Sequence, residues 1–256
     1  MSVSLTLLGT GTSQGVPVIG CKCEVCQSPD PKDNRLRTSA MFTAGGVNLV
    51  IDSGPDFRQQ MLREKVDHLE ALLITHEHND HVIGLDDVRP FNFIYRRDMP
   101  VYATPRVTAE LQMRFPYVFA ENKYPGAPMV KLIDIDPTQT FEVGHIKVQP
   151  IQVWHGKMPV IGFRIQNITY LTDVKTMDEP EIEKIKGTDH LVINALHHQA
   201  HYSHLNLEEA LELIQKINPR KAYLTHISHH MGLHAEVNKE LPGNVELGYD
   251  GMVIGF

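Results

Sequence analysis

The stretch THEHNDH, residues 75–81, places three histidines and one aspartate within seven residues. It follows an apolar run that reads as a strand, and it is expected to leave that strand through a tight turn into a helix. His76, His78, Asp80 and His81 could therefore converge. Neutral imidazole and carboxylate suit borderline divalent metals such as zinc, manganese and iron. Solvated loop residues with Asp80 as a helix cap are the alternative, but four candidate ligands this close together favour a metal site.

Five segments end an apolar run in an acid or a histidine, namely LLITH, which leads into THEHNDH, and VIDSG, VWHG, YLTD and YLTH. If these strand ends lie side by side, the polar residues meet along one edge and form one site. The residues concerned are Asp52, His76, His155, Asp173 and His226. A single histidine at a strand end is usually only a polar terminus, and the neighbouring cluster is what makes His155 and His226 candidate ligands.

The only three cysteines lie in GCKCEVC, as Cys21, Cys23 and Cys26. This arrangement is one ligand short of a tetrahedral structural zinc site. Thiolates this close repel one another unless a metal neutralises them, so we expect a zinc loop near residues 20–27 whose fourth ligand is a histidine from elsewhere. Three buried free cysteines are the alternative. Clustered cysteines also suit a reducing compartment better than a disulfide framework.

The elements that position these residues are short strands separated by helical patterns. Helical spacing of apolar residues is clearest in NLEEALELIQKI, which has acids in its first turn. The order predicts an α/β sandwich of two sheets with helices outside, formed by residues 1–256 as one domain. Strands are expected at 4–9, 47–52, 70–75, 147–155, 160–165, 168–173, 190–196, 221–226 and 252–256.

Composition limits the function classes. The chain has 256 residues, 42% of them hydrophobic, and a formal net charge of -7. There is no basic field to hold a long nucleic acid, and an acidic balance favours a small-molecule substrate. No leader or membrane-spanning run is recognisable, so a cytoplasmic location and no membrane partner are expected. The oligomeric state stays open, with a homodimer as one candidate.

The HxHxDH pattern resembles the metallo-β-lactamase superfamily over nearly the whole chain. The resemblance implies a four-layer αββα sandwich with two divalent metals, manganese or zinc, at one edge. Such a pair can share a hydroxide and stabilise the oxygens of an in-line displacement. Asp52 would orient a ligand histidine from behind, or alternatively cap a turn. The implied ligands are His76, His78 and His155 for one metal, Asp80, His81 and His226 for the other, and Asp173 between them.

Three further segments, LGTGTSQGVPVIGCKCEVC, LTHISHH and YDGMVIGF, resemble the PhnP-like branch, which is named for a phosphodiesterase that cleaves a phosphoribosyl 1,2-cyclic phosphate. The resemblance assigns His226 to the catalytic metals and His229 to the cysteine zinc. In HYSHLN it implies His204 as general acid or phosphate partner, with His201 as the other candidate. We expect the glycine-rich segment GTGTSQG to form a turn beside the site.

We therefore predict a metal-dependent phosphoric diester hydrolase for a small, cyclic phosphodiester, attacked by a metal-bridging hydroxide. A transfer-RNA 3′-processing endoribonuclease and a non-catalytic metal-binding module of the same fold are the alternatives. Asp86 and Arg89 either line the pocket or lie on a solvated helix face. The remaining histidines are expected at the surface: His68, His145, His190, His197 and His198.

Overall fold

The computed structural model describes residues 3–255, which form two seven-stranded sheets. The strands are β1 Val3–Gly9, β2 Ser39–Ala44, β3 Val47–Ile51, β4 Ala71–Leu73, β5 Met99–Ala103, β6 Val130–Asp134, β7 Phe141–Val143, β8 Ile146–His155, β9 Met158–Ile165, β10 Ile168–Tyr170, β11 His190–Asn194, β12 Lys221–Thr225, β13 Val245–Leu247 and β14 Val253–Ile254. The first sheet has the order β14-β1-β2-β3-β4-β5-β6, and the second has the order β13-β12-β11-β10-β9-β8-β7.

Each sheet is parallel in one half and antiparallel in the other. Strands β3 to β6 run parallel in the first sheet, and β10 to β13 run parallel in the second. Antiparallel pairs join β1 to β2 and β8 to β9. Ligand sites of parallel sheets form beyond the carboxyl ends of the strands. The polar residues predicted to form the site lie at these ends.

Helices cover the outer faces of both sheets, so the molecule has four layers. Between the sheets lies an apolar core to which both contribute, including Phe42 and Leu49 from the first sheet and Phe163 and Tyr170 from the second. Two further clusters join each sheet to its own helices. The predicted αββα sandwich is confirmed.

The longest helix shows why these segments fold as they do. The asparagine Asn206 accepts a hydrogen bond from the backbone of Glu209, whose side chain bonds back, and this capping box starts the helix. The α-helices are α1 Phe57–Arg63, α2 Asn79–Val82, α3 Arg89–Tyr95, α4 Pro105–Arg114, α5 Pro116–Phe119, α6 Glu179–Ile185, α7 Leu207–Ile217 and α8 His234–Glu240. Short 3₁₀ helices lie at Val25–Gln27, Pro31–Asp33, Ile83–Val88 and His229–Met231.

All nine predicted strands exist, although most end one to three residues before the predicted boundary. They stop early because the polar residues at their ends leave the sheet to form the site. The last predicted strand narrows to Val253–Ile254, and its final position, residue 256, lies outside the described residues. Within residues 3–255, no helix is both long enough and apolar enough to span a bilayer.

Candidate metal centre

Three of the strand-end residues adopt a left-handed backbone. The φ angles are 63° at Asp52, 57° at Asp173 and 54° at His226, each just beyond the end of its strand. A non-glycine residue pays on the order of 1 kcal/mol for this conformation, and such residues concentrate at functional sites. This conformation ends the alternation of side chains between the two faces of the strand and directs each of these side chains towards the shared edge of the two sheets.

The carboxylate of Asp52 orients two histidines from behind. It is fully buried and accepts hydrogen bonds from the Thr75 backbone N–H at 2.8 Å and from Nδ1 of His81 at 2.7 Å. The Thr75 hydroxyl donates to the same carboxylate at 2.9 Å and lies 2.9 Å from Nδ1 of His76. When both rings are neutral, these bonds place the proton on Nδ1, and Nε2 of His76 and of His81 presents a lone pair to the site.

His76, His78 and His155 lie together on one side of the edge. The His76 Nε2 atom is 3.1 Å from Nδ1 of His78, and the rings of His78 and His155 are 5.3 Å apart. His155 donates from Nδ1 to the backbone carbonyl of Ser203 at 2.7 Å. That bond leaves its Nε2 free to bind a cation.

A second group surrounds His81. Its Nε2 atom lies 3.3 Å from carboxylate oxygens of both Asp80 and Asp173, and Nε2 of His226 is 3.3 Å from the other Asp173 oxygen. Burial alone would lower the pKa of His81, but the carboxylates of Asp80, Asp173 and Asp52 raise it well above its ordinary value. Three carboxylates around one imidazole create a strongly negative potential.

Two buried nitrogen atoms test whether metals fit here. Nε2 of His81 and Nε2 of His226 are both buried and have no hydrogen-bond partner. Leaving two such atoms unsatisfied costs about 1–3 kcal/mol each, which a bound cation would remove. The neighbouring acids Asp80 and Asp173 provide anionic oxygen at the same point, so the residues present fit a pair of divalent metals.

The centre opens into a cleft of about 280 Å³, which Thr12 and Ser13 of the glycine-rich segment help to line. The prediction that this segment turns beside the site is confirmed. His204 lies in the cleft with Nδ1 3.6 Å from an oxygen of Asp173, and its ring is 4.4 Å from that of His155. His201 also lines the cleft, one ring further out at 5.1 Å from His204.

The cysteine loop lies against the segment that follows β12. Nδ1 of His229 is 3.4 Å from Sγ of Cys21 and 3.3 Å from Sγ of Cys23, and Cys26 completes a group whose ligand atoms lie within 4.8 Å of one another. A backbone N–H of Cys26 and the His229 ring lower the pKa of Cys23 to about 6. A thiolate and three further soft or borderline donors suit zinc.

Two contacts could not be read from the sequence, those of Thr75 and Ser203. Thr75 acts through a hydroxyl that lies between a carboxylate and an imidazole, and Ser203 acts through its backbone carbonyl. Asp86 and Arg89 form an ion pair with each other and are absent from the described lining of the cleft, so the solvated helix face is their better interpretation. Of the histidines expected at the surface, His145 and His198 are exposed, whereas His68, His190 and His197 are half-buried.

Comparison with known proteins places this geometry in a family. Residues 47–227, most of the chain, match the family model described as the Beta-lactamase superfamily domain. A solved structure described as a new diphosphatase from the PhnP family is 37% identical, with a TM-score of 0.93, and the alignment covers 100% of this chain and 98% of that one.

Of two other relatives, one is a longer protein than this chain and the other is less similar in sequence than the PhnP-family structure. A protein of Porphyromonas gingivalis named octanoyltransferase is 43% identical over 96% of this chain, which spans only 50% of that protein's length. Zinc-bound PqqB from Methylobacterium extorquens aligns over 99% of this chain and 100% of its own, at 20% identity and a TM-score of 0.81, which is a likeness of fold alone.

Residues 47–227, which the family model matches, contain every histidine and aspartate of the centre described above, and the PhnP-family structure matches the chain over its whole length. The chain belongs to the metallo-β-lactamase superfamily and, within it, to the PhnP family.

Proposed function

We propose that the protein is a hydrolase that uses two divalent metals to cleave a small, cyclic phosphodiester. The observation that carries the proposal is the pair of buried, unpartnered Nε2 atoms on His81 and His226, which face the carboxylates of Asp80 and Asp173. Membership of a family that contains a diphosphatase supports hydrolysis at a phosphorus centre. The acidic chain favours a small substrate over a long nucleic acid.

The ligand assignment follows the two groups of side chains. We assign His76, His78 and His155 to one cation and Asp80, His81 and His226 to the other, with Asp173 between them. When bound, two such cations supply a nucleophilic hydroxide near neutral pH and stabilise the charge that develops on phosphoryl oxygens. A structural zinc held by Cys21, Cys23, Cys26 and His229 is part of the same proposal.

The chain's own residues prepare the site for this chemistry. Asp52 holds His81 directly, and His76 through Thr75, in the tautomer that leaves Nε2 as a lone pair. Ser203 does the same for His155. Because these rings are fixed before substrate enters, little reorganisation is required in the transition state.

His204 is our candidate for the proton donor to the departing oxygen. Burial and the neighbouring His226 lower the pKa of His204 to about 2, and the carboxylate of Asp173 only partly opposes them, so the ring would gain its proton when a substrate phosphate adds negative charge beside it. With Nδ1 turned towards Asp173, the Nε2–H of the protonated ring would serve as the donor. His201, one ring further from the metal ligands, is less suitably placed.

A second candidate is acyl-group chemistry, which is favoured by the 43% identity to the protein named octanoyltransferase. This chain spans only half of that protein's length, so the name does not assign the activity to the matched part. Transfer-RNA 3′ processing rests on fold alone, since the human short-form tRNase Z is 18% identical. An octanoyl thioester and a precursor transfer RNA therefore belong in the substrate panel.

Turnover by paired variants tests the proposal. Metal-reconstituted wild-type protein should hydrolyse bis(p-nitrophenyl) phosphate and cyclic phosphodiesters, and Asp80→Asn should lower kcat/KM by about 1,000-fold because a charged ligand is lost. Asp136→Asn is the matched control, since Asp136 is a solvent-exposed acid in a turn and is not among the residues described as lining the cleft. Equal activity of the two variants, or turnover of the thioester alone, would contradict the proposal.

A further inference from the structure

Helix α4 and the metal-binding stretch THEHNDH are neighbours in the fold. Strands β4 and β5 pair in parallel, and just past the end of β4 the backbone N–H of Ile74 donates to the carbonyl of Tyr102 at 2.9 Å. Segments that leave the carboxyl ends of adjacent parallel strands emerge at the same edge of the sheet. THEHNDH follows β4, and α4 begins at Pro105, shortly after β5 ends. The helix therefore lies within reach of the stretch that carries four of the candidate ligands.

Alternate side chains of the stretch point in two directions. His76, His78 and Asp80 belong to the candidate metal centre. The intervening Glu77 and Asn79 bind α4 instead. His78 has an extended backbone, with φ -63° and ψ 147°, and side chains alternate between the two sides of an extended chain. A contact that holds an intervening residue therefore also holds the ligands on both sides of it.

Two arginines of α4 make the contacts with the stretch. Arg106 donates from Nη2 to Oε1 of Glu77, and Arg114 donates from Nη1 to Oδ1 of Asn79. Positions 106, 110 and 114 follow one another at four-residue spacing, so they lie along one face of the helix. Glu110, between the two arginines, pairs with Arg114 at 3.7 Å. One face of α4 thus binds the stretch at two points.

Helix α4 is itself fixed to the first sheet. Its Val107 and Leu111 are buried in the apolar cluster that joins this sheet to its helices. The Thr108 hydroxyl donates to the carboxylate of Asp134, at the end of β6, at 2.8 Å. The helix is therefore a firm support for THEHNDH and does not depend on that stretch for its own position.

The contact between Glu77 and Arg106 is the more important of the two. Glu77 is 6% exposed, and among residues 3–255 its buried Oε2 atom has no hydrogen-bond partner, so the carboxylate depends on Arg106. A buried carboxylate that loses its charged partner is strongly destabilised. Without Arg106 the stretch has to move until Glu77 reaches water, and His76 and His78 move with it. Asn79 is exposed and uncharged, so the loss of its arginine has a smaller effect.

We propose that Arg106 and Arg114 are positioning residues, which hold the metal ligands of THEHNDH in place through Glu77 and Asn79. The proposal rests on the proposed metal centre. Charge and position predict opposite effects of removing an arginine. If Arg106 acted through its charge alone, its removal would strengthen the binding of a nearby cation. Because Arg106 holds the ligands in place, its removal weakens cation binding.

Competition with a fluorescent zinc chelator tests the proposal, with the zinc of the cysteine site counted separately. Arg106→Gln should lower the metal affinity of the centre about tenfold, and Arg114→Gln about threefold. Arg106→Lys should keep most of the affinity, because an ammonium group still pairs with Glu77. Arg97→Gln is the matched control and should leave metal affinity unchanged. The Arg97 side chain is 39% exposed against 46% for Arg106, and it pairs with Glu70, at the opposite end of β4 from the ligands.

Hydrogen exchange in the metal-free protein gives a second readout. The backbone amides of residues 76–81 should exchange faster in Arg106→Gln than in wild type, and at the wild-type rate in Arg97→Gln. Metal affinity in Arg106→Gln that equals or exceeds that of Arg97→Gln overturns this proposal alone, as does unchanged exchange. A wild-type protein that binds no cation at the centre overturns the proposed function and this proposal together. Neither measurement requires that any substrate be turned over.

Discussion

Replacing Thr75 with valine tests whether the buried carboxylate of Asp52 orients His76 through the Thr75 hydroxyl. The Thr75 hydroxyl lies between Asp52 and His76, 2.9 Å from each. Thr75→Val keeps the shape of the side chain and removes only this link. Nδ1–H of His76 then loses its acceptor, whereas His81 keeps its own bond to Asp52 at 2.7 Å.

The expected effect is a loss of metal affinity of about tenfold, or ~1.4 kcal/mol, because one of the two histidines is no longer held in the ligating tautomer. Asp52→Asn should cost about 100-fold or ~2.7 kcal/mol, since the amide that replaces the carboxylate cannot accept from both Thr75 and His81. The two rings then lose their orientation together.

Competition with a fluorescent zinc chelator measures these affinities directly. Thr169→Val is the matched control, because Thr169 is also a fully buried threonine with a hydroxyl hydrogen bond, at 3.1 Å to Thr188, but it lies away from the centre. The two valine variants should lose similar free energy of unfolding, about 1 kcal/mol. Metal affinity of Thr75→Val equal to that of Thr169→Val would refute the orienting role of the hydroxyl.

Three other predictions concern the surroundings of the centre. Cys23→Ser should remove one tightly held zinc per chain in elemental analysis and lower activity only indirectly; an unchanged zinc content would contradict the assignment. Gly54→Ala should lower activity at least tenfold, because a Cβ there would lie 2.0 Å from the carbonyl oxygen of Asp80, whereas Gly243→Ala meets nothing within 4 Å and should be neutral in the same assay. Burial and the nearby Arg35 lower the pKa of His234 from 6.5 to about 4. Between those pH values the unfolded chain takes up a proton that the folded one does not, so the free energy of unfolding should fall with decreasing pH by about 1 kcal/mol more in wild type than in His234→Gln. Equal slopes in chemical denaturation would contradict this.

The grouping of the candidate ligands at one edge was predictable because several of them are close in sequence and the others follow strands with clear apolar patterns. The run THEHNDH and the strand-end acids required only that parallel strands share an edge. From the sequence alone, Asp52 suited two roles equally well: orienting a ligand histidine and capping a turn. The structure decides for orientation, since both carboxylate oxygens accept hydrogen bonds from Thr75 and one also accepts from His81.

Other features depend on contacts that leave no local pattern. Ser203 acts through its backbone carbonyl on a histidine 48 residues away, which no side-chain type reveals. Strand β2, SAMFTA, has few β-branched residues and is held by its two neighbouring strands. Strand β5 begins Met-Pro, and Pro disfavours a strand assignment.

Metal titration of the metal-free protein, with hydrolysis of a cyclic phosphodiester followed at each addition, tests the central claim most directly. Two cations held by the residues around Asp80 and Asp173 should bring activity from background to its maximum, once any zinc bound at the cysteine site is accounted for. Two bound cations at this centre without hydrolysis of any linear or cyclic phosphodiester would contradict it.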